Sequence, residues 1–187
     1  MSPAAHLPVA PIVLPLAAAA LLVLVDERRH ALKAAISLAS IVALLAAAIA
    51  LMATAATTRV YALGDWSAPF GIVLVADRLA AAMVSLSAVL ALAATLFSLA
   101  RWHRAGPRFH ALVQFLLMGV NGAFLTGDLF NLFVFFELLL AASYGLALYG
   151  SGTARVRASL HYIVINLTAS LFFLVGVSLI YGVTGTL

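Results

Sequence analysis

DLFNLFVFFELLLAASYGLALY, Asp128 to Tyr149, runs for 22 residues with Glu137 as its one charge after the opening aspartate, and the next charge is Arg155. As a helix it is long enough to cross a bilayer. Counted from Leu129 at ~1.5 Å per residue, Glu137 lies ~12 Å into a ~30 Å hydrocarbon core, close to its midplane. A charged side chain at that depth costs roughly 2.5–3.5 kcal/mol on insertion scales and ten or more in some simulations. Such a residue reads first as part of an ion or proton pathway; the alternative is a carboxyl kept protonated as a hydrogen-bonded packing group.

The whole chain follows the same pattern. Of its 187 residues 66% are hydrophobic and 9% are charged, against ~25% charged in soluble domains. The apolar runs are too long and too continuous for barrel strands, which alternate over ~10 residues. The fold class is an all-α integral membrane protein, one transmembrane domain of six spans at about 3–25, 33–55, 77–100, 109–127, 129–149 and 160–182. Pro3, Pro8, Pro11 and Pro15 predict an irregular start to the first span. Residues 56–76 break the pattern. Gly64-Asp65, Pro69 and Gly71 are turn signals, and the β-prone pieces VYAL and GIVLV beside them allow a short hairpin in an external loop. Tyr61, Trp66 and Phe70 suit the headgroup level. Asp128 stands in a very short turn, so the spans on either side of it are antiparallel neighbours.

Eight of the ten basic residues fall in the loops after spans one, three and five: Arg28, Arg29, Lys33, Arg101, Arg104, Arg108, Arg155 and Arg157. Arg59 and Arg78 are on the other side. By the positive-inside rule those three loops are cytoplasmic and the N-terminus is outside. The basic excess is therefore an orientation signal rather than a nucleic-acid footprint. No cysteine is present, so thiolate metal sites and iron–sulfur clusters are excluded. No histidine pair at i, i+4 has a third ligand near it, and no phosphate loop or nucleophile–base pair appears. Neither a metal, a cofactor nor an enzymatic reaction is expected.

Polar groups within the spans are few. Phe133, Val134, Leu140, Ala141 and Tyr144 share the helical face of Glu137, and Tyr144 either extends that stripe or is an interfacial aromatic. Ala141 and Gly145 permit close approach of another helix. In span four, Gln114, Met118, Asn121 and Leu125 share a face. Its two amides either serve Glu137 as bonding partners or water holders, or act as interhelical glue worth ~0.6–2 kcal/mol. Gly119 and Gly122 leave room for a neighbour or for water. In span six, His161 lies near the cytoplasmic end, with Asn166, Thr168 and Ser170 deeper; His161 is a proton relay or an interfacial residue. His6, His30, His103 and His110 read as interfacial.

Gly127 to Leu146, GDLFNLFVFFELLLAASYGL, resembles the fifth helix of the antiporter-like membrane subunits shared by Mrp-type multisubunit Na⁺/H⁺ antiporters and respiratory complex I. Gly64 to Val84 and Ala158 to Leu187 are similar to the Mrp D subunit, so that essentially the whole chain is covered. Complex I homologues usually carry a proline soon after the glutamate. LLLAASY follows Glu137 here, which favours the Mrp relatives. The resemblance implies a proton-transfer role for Glu137 opposite a lysine on a seventh helix. It also implies coupled exchange of protons and Na⁺, other antiporter subunits as partners alongside the lipid bilayer, and multi-pass location in the bacterial inner membrane. The family has about fourteen spans, so the chain is expected to stop short of the seventh helix and its lysine. Gln114, Asn121, Tyr144, His161 and Asn166 are then candidates for a polar path around Glu137. Two rival functions remain open: a proton-pumping subunit of a complex I-like redox complex, and a structural scaffold of helices.

Overall fold

The computed structural model of the protein describes residues 3–55, 57–65, 71–100, 102–150 and 152–186. Its elements follow from where the apolar runs are interrupted. A 3-10 helix, Pro3–Val9, leads into α1, Ala10–Leu24. Pro11 sits in the first turn of α1, where a missing N–H costs nothing, but Pro15 is interior. Then come α2 (His30–Thr54), an antiparallel hairpin of β1 (Arg59–Ala62) and β2 (Val73–Ala76), and α3 (Arg78–Leu99). The chain closes with α4 (Phe109–Leu125), α5 (Leu129–Ala147) and α6 (Thr153–Thr184). Five helical segments are long and apolar enough to cross a membrane, and α4, at 17 residues, is a shorter apolar helix. Among the described residues the fold is thus six apolar helices and one small hairpin.

Aspartates set two helix starts. Asp77 accepts the Ala80 N–H at 2.7 Å to open α3. Asp128 accepts the Asn131 N–H at 2.5 Å to open α5. Each satisfies one of the donors that a helix N-terminus leaves over.

The core lies where α2, α3 and α4 meet. Ile41, Leu44, Ala48 and Leu51 of α2 join Ala81, Val84 and Ala88 of α3 and Leu117 and Leu125 of α4, with Leu74 of the hairpin closing one end. Both ends of the bundle are tied. At the hairpin end, the Gly127 N–H donates to Val73 C=O at 2.8 Å, and His6 Nδ1 lies 2.9 Å from the Tyr61 hydroxyl. A Cβ at residue 127 would stand 2.7 Å from Val75 Cγ2, so the turn between α4 and α5 needs glycine to meet β2. At the arginine-rich end, the Tyr149 hydroxyl bonds the backbone of residues 103 and 106, and the Arg155 guanidinium lies 4.9 Å over the Trp102 ring.

Three sequence expectations change. Lys33 is not in a loop: it occupies the first turn of α2, is 4% exposed, and pairs with Glu27 at 2.7 Å. His103 and His110 are buried rather than interfacial. The last helix begins at Thr153, so Arg155 and Arg157 stand on its opening turns instead of in a linker. Arg101, Trp66, Pro69 and Phe70 lie outside the described residues.

Candidate functional site: Glu137 on α5

Three contacts set α5 against α4. A Cβ on Gly119 would stand 2.7 Å from the Leu139 backbone nitrogen, one on Gly122 would enter the Phe135 ring, and one on Gly145 would stand 2.8 Å from Leu112 Cδ2. The glycines on α4 thus admit a neighbour, and that neighbour is α5. Ala141, expected to share this role with Gly145, is exposed.

With the Phe135–Leu139–Gly145 side of α5 on α4, Glu137 is turned partly away from it. The residue is partly exposed, yet its Oε1 is shielded and has no hydrogen-bond partner among the described residues. The Tyr144 hydroxyl, two helical turns on along the same stripe, is likewise shielded and unpartnered. Phe133 and Leu140, one turn either side of Glu137, help line a cavity of about 320 Å³ between α5 and α6, which Asn166 and Ser170 complete. Phe173 closes it, stacked on Phe133 at 6.3 Å and edge-on to Phe136 at 5.8 Å. Tyr162 joins the two helices further along: its hydroxyl is 3.1 Å from Ser143 Oγ, and its ring meets Tyr144 edge-on.

Gln114 and Asn121 do not approach Glu137 through their amides. Both are fully buried on another side of α4. Gln114 Nε2 donates to Ser37 C=O and Oγ, both at 3.1 Å, and its Oε1 accepts from Ser40 Oγ at 3.1 Å. Asn121 Oδ1 accepts from Ser87 Oγ at 2.7 Å, and its Nδ2 donates to Pro11 C=O at 3.0 Å. The last bond has a local cause. Pro15 has no N–H, so the carbonyl four residues earlier loses its usual helical donor, and Asn121 supplies a substitute from α4. His161 is exposed, with Nδ1 2.9 Å from Arg157 C=O in its own helix. Asn166 reaches the cavity, and its Nδ2 donates to Tyr162 C=O at 2.7 Å. The structure therefore brings Asn166 to the α5–α6 cavity and Tyr144 against Tyr162 of α6, leaves Glu137 on the α5 stripe beside them, and keeps the Gln114 and Asn121 amides on another side of α4.

This geometry yields a discriminating prediction. Asn121→Leu leaves the Pro11 carbonyl without its side-chain donor. The cost is about 1–2 kcal/mol, between the ~1–3 of a buried unsatisfied group and the ~0.6 average for interhelical bonds in membranes. The midpoint of thermal unfolding should shift down accordingly. Normal stability would instead show that the Asn121 amide does not hold α1 to α4.

A second group of polar residues is one that the sequence reading passes over. Lys33, Ser37 and Ser40 recur at helical spacing on α2 and face His110 and Gln114 of α4, a stripe readable from the spacing alone. Around its end stand His30, His103 and Glu27. Burial raises the Glu27 carboxyl, but the Lys33 hydrogen bond, the Arg108 N–H and the two cationic charges outweigh it and hold the pKa below the ordinary value.

Residues 126–187 match the family described as NADH:quinone oxidoreductase/Mrp antiporter, TM. The chain is 59% identical, over 97% of its length, to the D subunit of a probable K⁺/H⁺ antiporter from Rhizobium meliloti, and covers 35% of that protein. It is 44% identical, again over 97%, to the D subunit of the Na⁺/H⁺ antiporter from Alkalihalophilus pseudofirmus, covering 38%. Among solved structures, the Mrp complex from Dietzia sp. DQ12-45-1b contains a chain that superposes on all of this one with a TM-score of 0.90 at 36% identity, 36% of that chain being covered. The chain spans little more than a third of the length of these relatives. Over that span it belongs to the antiporter-like family of membrane proteins that includes the D subunits of Mrp antiporters.

Proposed function

We propose that this chain forms part of a membrane subunit of a monovalent cation/proton antiporter, and that Glu137 takes up and releases the proton. One observation carries the reading: a carboxylate in the middle of an apolar helix, with a shielded oxygen left without a partner among the described residues. An ionisable group in a membrane span persists where an ion route needs it. The partners are the other subunits of the complex, the bilayer, and the exchanged ions. Tyr144 and Asn166, on the same side of α5, are the candidates to share the route; Gln114 and Asn121 hold helices together. His161 serves the exposed start of α6.

The relatives are named for two different cations, K⁺ at 59% identity and Na⁺ at 44%, so both ions belong in the assay. Everted vesicles from cells lacking the intact subunit should fail to release a respiration-driven pH gradient on addition of K⁺ or Na⁺, and restoring the gene should recover that release. Recovery with neither ion, together with a loss of NADH-driven proton pumping, would favour the redox-complex reading instead.

A further inference from the structure

His110 is 3% exposed, and neither ring nitrogen has a hydrogen-bond partner among the described residues. Imidazole is costly to bury in that way, since each unmet polar group forfeits ~1–3 kcal/mol. A phenyl ring would fill the same space without the loss. The surroundings sharpen the question. His103, from the connector before α4, packs against the ring at 5.6 Å between centroids. Lys33 and His30 of α2 are within electrostatic reach. Both ring nitrogens of His103 are engaged elsewhere, Nδ1 3.1 Å from Ser98 C=O and Nε2 3.3 Å from Arg104 Nε. From its own helix Phe109 packs on His110 edge-on, and Tyr149 packs on Phe109 in turn. The carboxylate of the group, Glu27, is engaged by Lys33 and the Arg108 N–H.

We propose that His110, enclosed by His103, His30 and Lys33, is a proton-binding site separate from Glu137, which reads pH at the arginine-rich end of the bundle and reports it through the α2–α4 seam. A proton on His110 meets the Lys33 ammonium, and the carboxylate nearby among the described residues, Glu27, is engaged by Lys33 and the Arg108 N–H. The charged ring is repelled where it sits and is accommodated when the seam opens to water. The ladder of exposure gives the proton its access: Glu27 is 47% exposed at the surface, and Lys33, paired with it, is buried beside the ring. Inward of His110 the seam continues through Ser37, Gln114 and Ser40, the amide donating to Ser37 and accepting from Ser40. A side-chain amide does not take up and pass on a proton, so a proton loaded at His110 leaves by the side it came from. The site is therefore a sensor and not a stage of the transport route, and it stands whether or not Glu137 carries protons.

The test reads packing, not ion flux. In the intact complex containing this subunit, amide hydrogen exchange is followed over residues 33–40 and 110–118 from pH 8 to pH 5.5, corrected for intrinsic rates and referred to residues 84–96 of α3. This window lies above the titration of Glu27. The opening constant should rise by up to about ten-fold per pH unit below ~6.5. His110→Phe should abolish that rise while keeping protection at pH 8 equal to wild type or better. Lys33→Met removes the repelling ammonium and should shrink the rise, which sets in near the same pH and levels off at a higher one. A flat wild-type profile, a rise that survives in His110→Phe, or, should that variant not assemble, an unchanged rise in Lys33→Met would each overturn the proposal.

Discussion

Glu137→Gln is expected to abolish cation-dependent release of the pH gradient in everted vesicles while leaving the complex assembled. Gln keeps nearly the volume of Glu and can still hydrogen-bond, but it cannot bind and release a proton. Removing a positioned proton-transfer group typically costs 10²–10⁴-fold in rate, so exchange should fall at least about a hundredfold, to the vesicle background. Insertion should not suffer, because the substitution replaces an ionisable group in an apolar helix with a neutral one. Glu137→Asp keeps the carboxyl but withdraws it by one methylene, and should retain partial exchange. Glu137→Ala confounds the outcome with lost packing. Rates are normalised to assembled complex on native gels. A Gln variant that assembles and exchanges at near wild-type rate would reduce Glu137 to a packing residue, and the proposed function would lose its central group.

The second large effect is structural. Gly119→Ala should break the α4–α5 interface, because the added methyl would stand 2.7 Å from the Leu139 nitrogen and 2.9 Å from its Cα. No rotamer change relieves a clash with backbone; the helices must separate. Overpacking of this kind costs typically about 1–3 kcal/mol, and here the separation would also disturb the helix that carries Glu137. Yield and thermal stability in detergent should both drop. Gly176→Ala is the matched control, since a Cβ there meets nothing within 4 Å, and alanine favours helix by roughly 1 kcal/mol over glycine. Equal stability of the two variants would show that the close approach at residue 119 is not needed.

What the sequence discloses here follows from the chemistry of apolar helices. Spans are legible as long apolar runs, and Asp77 and Asp128 announce two helix starts because a carboxylate before an apolar run is a cap. The hairpin is foreshadowed by its turn residues. Rotation of each helix is harder to read. A helix that is apolar all round carries little amphipathic signal, so nothing in the pattern forbids turning the face of α4 that bears Gln114 and Asn121 toward Glu137. Gly119 and Gly122 hold the answer, since small residues mark the closest neighbour, and they point to a different side of α4 from the amides. Lys33 reads as a loop residue because Arg28 and Arg29 precede it; a buried ion pair with Glu27 depends on the turn between α1 and α2 folding back. That His110 has no hydrogen-bond partner among the described residues is a tertiary fact with no counterpart in composition or spacing.

The bond between Asn121 and the Pro11 carbonyl also bears on biosynthesis. These two residues lie 110 positions apart in the chain. At roughly 5–20 residues per second, the ribosome needs about 5–20 s to deliver the second after the first. Throughout that interval α1 has been made with one carbonyl lacking its eventual donor. In hydrocarbon such a group is expensive, so α1 has reason to linger beside the insertion machinery, near water or polar protein, until α4 arrives. A proline placed for the folded bundle thereby makes α1 settle later than α2 and α3, which follow it in the chain.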